Sequence, residues 1–240
     1  MGFSQIILRS IVIGIIVGCV FSVAQIFFVN PLIFQAETFE VAESHDHGSH
    51  NHDEEAWGPA DGLERTFYTV SANVLTGIGF AAVILSLMSQ LQLQNGRNQL
   101  NLGQGLMWGL GGFAAFFVAP AIGLPPEIPG VEAAQVEHRQ LWWLFAVLGV
   151  GIGILVLFFA PLKFKVLGLV SIVLPYIIGA PHHEGPLFSH PDPAAVEALT
   201  AIHQQFIVAS SASNFLFWIV LGFVSAWFLK SVGQDAVTDA

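Results

Sequence analysis

Six runs of the chain, at 11–29, 67–91, 103–124, 141–162, 166–180 and 204–229, contain no acidic residue, no lysine or arginine and no histidine. A helix crosses the bilayer core with about 20 apolar residues, and only helices and closed barrels satisfy their backbone hydrogen bonds in hydrocarbon. Five of the runs meet that length. The run 166–180 is shorter and holds Pro175, so it reads as a kinked span or a re-entrant segment, and we treat it as a span. The expectation is an all-α polytopic integral membrane protein, one transmembrane domain over 1–240 with about six helices, or five if the short run does not cross. Composition removes the soluble alternative. Charged residues make up 10% of the chain, against roughly 25% in a soluble globular domain.

Loop charge sets the orientation, since Lys and Arg in short loops accumulate on the cytoplasmic side. With the N-terminus inside, Arg9, Arg97, Lys163, Lys165 and Lys230 fall on the cytoplasmic face, and only Arg65 and Arg139 lie outside. The tail 231–240 is then cytoplasmic as well. All acidic residues except Asp235 and Asp239, and all nine histidines, land outside, giving that face a field that gathers cations. The first run follows Arg9 and contains the small-residue site Ser22-Val23-Ala24, as a signal peptide would. Apolar sequence continues past it to Val29, so an uncleaved anchor is expected. Nucleic acid is excluded as a partner, because 7 basic residues against 17 acidic ones leave no basic stripe for phosphates. Cys19 lies in an apolar run and reads as a small buried apolar side chain rather than a ligand.

The longest polar stretch, 30–66, is an acidic, His-rich extracytoplasmic loop on this reading. His45, His47, His50 and His52 interleave there with Asp46, Asp53, Glu54 and Glu55. Neutral imidazole and carboxylate suit cobalt(2+), nickel and zinc alike, whereas copper(I) prefers Cys and Met. Ligation needs the neutral ring, so such capture weakens in acid. The plainer alternative is a solvated loop with no specific partner. A second cluster, His182, His183 and Glu184, follows the fifth run, and His203 precedes the sixth. With Glu184 or Glu64 as a carboxylate partner, these histidines mark a metal-receiving mouth on the outer face, or else they anchor helix ends.

The absence of ionisable groups at mid-depth also discriminates. A membrane haem needs axial ligands inside the helices, so no haem is expected, and a proton relay lacks its usual carboxylates. Neutral polar residues remain. His203, Ser210 and Asn214 lie within about 40° of one helix face, and Thr69, Asn73 and Thr76, with Thr66, share an arc of about 80°. Such stripes either line a path or hydrogen-bond helices to one another. Gly14 and Gly18, Gly105 and Gly109, and Gly149 and Gly153 are small-xxx-small pairs that predict close helix crossings.

Longer blocks carry a resemblance. Asn30-Pro31-Leu32, Trp57-Gly58-Pro59-Ala60-Asp61-Gly62-Leu63-Glu64-Arg65-Thr66, Gly123-Leu124-Pro125-Pro126-Glu127, Arg139-Gln140-Leu141-Trp142-Trp143 and Gly179-Ala180-Pro181-His182 are together similar to the CbtA family of proposed cobalt transporter subunits. The resemblance runs from about residue 6 to 230. It implies cobalt uptake across a prokaryotic inner membrane, linked to cobalamin supply, with a small single-span His-bearing partner of the CbtB type. The family is described with five spans, against the six apolar runs here.

The function expected from all of this is a membrane subunit of a divalent-metal uptake transporter, with membrane lipid and the metal ion as its other partners. Its outer loops collect the ion and a helix-lined path passes it inward. The competing reading is a membrane sensor or scaffold that binds metal without transporting it. An enzyme is not expected, since the chain has no P-loop, no HExxH and no hydrolase elbow.

Overall fold

The computed structural model describes residues 3–44, 58–94 and 101–238, and every regular element among them is helical. In chain order these are α1 (Phe3–Ala24), a π turn (Gln25–Val29), α2 (Asn30–Ser44), α3 (Leu63–Gln94), α4 (Leu102–Phe113), a second π turn (Ala114–Val118), α5 (Ala119–Gly123), α6 (Val136–Phe159), a 3-10 turn (Leu162–Phe164), α7 (Lys165–Ile178) and α8 (Pro193–Thr238). Among the described residues five stretches are long and apolar enough to cross a membrane: Phe3–Glu40, Leu63–Gln90, Leu102–Gly123, Val136–Phe159 and Pro193–Lys230. The chain is an all-α polytopic membrane protein. The sixth apolar run forms only the 14-residue α7, about 21 Å of helix against a hydrocarbon core of about 30 Å.

Each π turn stands immediately before an X-Pro step, Asn30-Pro31 in one case and Ala119-Pro120 in the other. A proline ring inside a helix clashes with the carbonyl four residues back and has no N–H to offer it. One wider turn moves that carbonyl aside, and the Ala119 N–H donates instead to Ala114, five residues back. The helix therefore continues past Pro31, whereas the sequence placed a polar loop from residue 30. Residues 30–44 of that stretch are helix α2. Their burial pattern is helical too, with Val29 and Ala36 inside and Leu32, Ile33 and Phe39 packed beside them. The histidines at 45, 47, 50 and 52 lie outside the described residues.

The described residues divide into two compact units. In the first, comprising Met1–Ile26, Trp57–Leu110 and Ser213–Ala240, two glycine pairs set the helix crossings. A Cβ on Gly18 would come within 2.5 Å of Val74 Cα and 2.8 Å of the Asn73 carbonyl oxygen, and one on Gly77 would sit 2.6 Å from the Gly14 oxygen. α1 and α3 thus touch backbone to backbone. Gly105 and Gly109 hold α4 equally close to Gly222 and Trp218 of α8. Phe80 closes the core over Phe217 and Trp218, ring centroids 6.0 and 4.8 Å away. Cys19 is exposed on α1 instead of buried, because Gly14, Val17, Gly18 and Phe21 occupy the inward face of that helix.

The second unit, Phe27–Ala56 with Gly111–Ala212, is organised around the α6–α7 hairpin. Gly149 faces Pro175 and the Ser171 carbonyl, Gly153 faces the Gly168 carbonyl and Ile172, and the Ser171 hydroxyl donates to the Gly149 carbonyl at 2.8 Å. The buried Trp142 indole donates to the Pro175 carbonyl at 3.3 Å. Near the start of α6, the Trp142 ring and Ala180 beyond α7 both abut Gly123. Despite its length, α7 returns the chain to the end from which α6 set out.

Candidate functional site

That shared end carries a cavity of about 230 Å³, lined among others by Glu127, Glu132, Arg139, His182, His183 and His203. Its walls are two loops, the first turn of α6 and the third turn of α8. The first loop leaves α5 after Gly123, where the Leu124 N–H returns to the Pro120 carbonyl at 2.7 Å. Pro125 and Pro126 follow and offer no N–H, and the Pro126 carbonyl is engaged by a side chain. It meets His203 Nε2 at 3.0 Å. Glu127 then pairs with Arg139 in α6, Ile128 is buried, and Gly130 takes the left-handed turn at φ 83° that favours glycine.

The second loop begins at Gly179, whose φ of 84° ends α7. It is tied to the first loop by the Glu132 N–H, which donates to the Leu187 carbonyl at 2.9 Å. Its Phe188 is buried, with its ring centroid 6.0 Å from the His203 ring and nearly perpendicular to it. Asp192 caps α8 by accepting from the Ala194 N–H at 2.9 Å.

His203 is therefore a fixed group. It is 6% exposed and held at one edge by Phe188. A carbonyl can only accept, so the ring nitrogen facing Pro126 is the protonated one in the neutral form, leaving the lone pair on Nδ1. Histidines that bind metals are commonly oriented in this way by a carbonyl on the other nitrogen. His182 and His183 are exposed on the second loop. Among the described residues no three His, Cys, Asp or Glu side chains stand close enough to hold one ion between them, so the pocket gathers donors without arranging them as a finished chelate.

Residues 3–230 match the family described as "Probable cobalt transporter subunit (CbtA)". The chain belongs to the CbtA family. No curated protein and no solved structure matches it.

In this CbtA chain the three histidines singled out in the sequence share one pocket, but the carboxylates do not follow the expectation. Glu184 is exposed on the second loop and is not among the residues lining the cavity. Glu64 is exposed at the start of α3 and is likewise not among the lining residues. Glu127 and Glu132 line the cavity instead. The visible signal for Glu127 was its place directly after two prolines, which stiffen the approach to the pocket.

The residues of the polar stripes differ in their surroundings. Asn73 is buried and donates to Ser22 at 3.1 Å and to Gln25 at 2.7 Å, bonding α3 to α1. The Thr69 hydroxyl returns to the Arg65 carbonyl at 2.9 Å, and Thr76 is exposed. On α8, Ser210 is buried and Asn214 half-buried. Of the α3 residues, Asn73 therefore bonds one helix to another. Polar glue between helices is the usual role for such groups.

Proposed function

We propose that this CbtA protein is the membrane subunit of a cobalt(2+) uptake transporter and that the pocket between the 124–135 and 179–192 loops receives the ion on its outer face. The observation that carries this reading is the joining of His182, His183 and His203 with Glu127 and Glu132 around one cavity in a membrane protein of a cobalt-transporter family. Imidazole and carboxylate together suit borderline divalent ions, so nickel and zinc compete for the same donors. The positive-charge bias of the loops supports the orientation, with both ends of the chain in the cytoplasm of a prokaryotic cell and the pocket outside. A small single-span His-bearing subunit of the CbtB type completes the assembly. Radiocobalt accumulation in cells with and without the protein, with nickel and zinc as competitors, is the direct test. Equal accumulation in the two strains refutes transport and leaves the metal-binding sensor or scaffold.

The run His45, His47, His50 and His52 serves on this reading as a capture loop that raises the local ion concentration without forming the path. Changing all four to Ala lowers the initial uptake rate at scarce cobalt by a few-fold and leaves the rate at saturating cobalt unchanged. Uptake curves over a cobalt series check this. A loss at every concentration, with the protein inserted normally, makes the loop part of the path.

A further inference from the structure

One group in the pocket has the wrong sign for collecting dications. Arg139, in the first turn of α6, lines the cavity with its guanidinium paired to Glu127. Both side chains are largely withdrawn from water, at 28% and 24% exposed, and the buried Arg139 Nε has no hydrogen-bond partner among the described residues. A guanidinium beside a carboxylate offers a planar fork that matches it and competes with any other cation there. Glu127 is also next in sequence to Pro126, the residue that orients His203. The carboxylate Arg139 holds and the imidazole Pro126 holds are thereby brought to the same cavity by adjacent residues.

We propose that Arg139 is a resident cation of the metal pocket: it competes with the incoming ion for Glu127 and keeps binding weak enough for the ion to move on. This rests on reading the pocket as the metal-receiving site. With Arg139 on Glu127, the lining carboxylate with no ion pair among the described residues is Glu132. When the metal draws Glu127 away, the pocket presents two carboxylates and the His203 Nδ1 lone pair. Return of Arg139 to Glu127 then favours release. Conduction requires this balance, since a site that holds its ion too well stops transport.

The test uses the full-length protein in lipid nanodiscs, with cobalt(2+) alone as the probe, measured by equilibrium dialysis. Arg139→Gln is expected to bind cobalt about tenfold more tightly, since it removes one competing charge from a partly buried pair, and to lower uptake at saturating cobalt. Glu127→Gln weakens binding by a similar factor. The deciding measurement is the double variant. With Glu127 already Gln, removing Arg139 changes the affinity by less than about twofold, because the competition acts through that carboxylate.

Equal or weaker binding by Arg139→Gln overturns the proposal. So does the same gain from Arg139→Gln whether or not Glu127 is present, since Arg139 then acts through its general field. Should Arg139→Gln not accumulate, Arg139→Lys carries the test: it keeps the charge and loses the fork, so binding tightens by a few-fold, and unchanged affinity overturns the proposal. Failure of the underlying reading looks different. In that case the wild type binds no cobalt, or Glu127→Gln and His203→Ala bind as the wild type does.

Discussion

His203→Ala reduces radiocobalt uptake by roughly tenfold or more at limiting metal, the scale on which metal sites respond to disturbance of a ligand or its support. His203 is the buried histidine of the pocket, with one nitrogen committed to Pro126 and its ring against Phe188. The free nitrogen is thus delivered in one orientation. Exposed His182 and His183 lack that constraint, and each changed alone to Ala costs only a few-fold. His203→Gln separates ligation from packing, because its amide still donates to the Pro126 carbonyl and offers no imidazole lone pair. If His203→Gln transports like the wild type, the histidine is a structural clasp and the pocket assignment falls.

The second large effect is on assembly. A Cβ on Gly222 would stand 2.6 Å from the Gly109 nitrogen and 2.8 Å from its Cα, and would also meet the Gly105 oxygen. These are backbone atoms that no rotamer change can move. Gly222→Leu therefore forces α4 and α8 apart, and the cost exceeds the ~1–3 kcal/mol typical of overpacking against movable side chains. The expected result is sharply reduced accumulation of folded protein and a large fall in thermal midpoint in detergent. Gly79→Leu is the matched control, since Gly79 is exposed and has nothing within 4 Å of its Cβ position. Equal stability of the two variants would mean that the Gly105–Gly109–Gly222 crossing does not hold these helices together.

Periodicity explains why α2 was missed, while the run treated as a sixth span is only the 14-residue α7. Glu37, Glu40 and Glu43 make 30–44 look like the start of a solvated loop, yet Leu32, Ile33 and Phe39 form an apolar stripe packed against the buried cluster that includes Ala36, Phe188, Leu199 and Phe206. A helix buried along one stripe keeps its other face polar, so mean hydropathy does not reveal it. The shortness of 166–180 was visible. Its return to the start of α6 depends on contacts with Gly149 and Gly153.

The sequence by itself determined the membrane class, the long spans and the glycines at which helices cross closely. Uncharged runs of membrane length leave the backbone no other way to satisfy its hydrogen bonds, and the three glycine pairs all lie where helices meet, because only glycine lets two backbones approach so closely. It also nominated His182, His183 and His203. Only the tertiary structure decided which carboxylates join them and which groups orient them. Pro126 and His203 are 77 residues apart, and Glu127 and Arg139 sit on different elements. Such partners are chosen by how two loops and two helices dock, and a pattern local to the chain carries no record of that docking. The same reason left Asn73 open between a path and a helix-to-helix bond until the structure showed its amide donating to Ser22 and Gln25: its angle on the helix was readable, but the helix it would face was not.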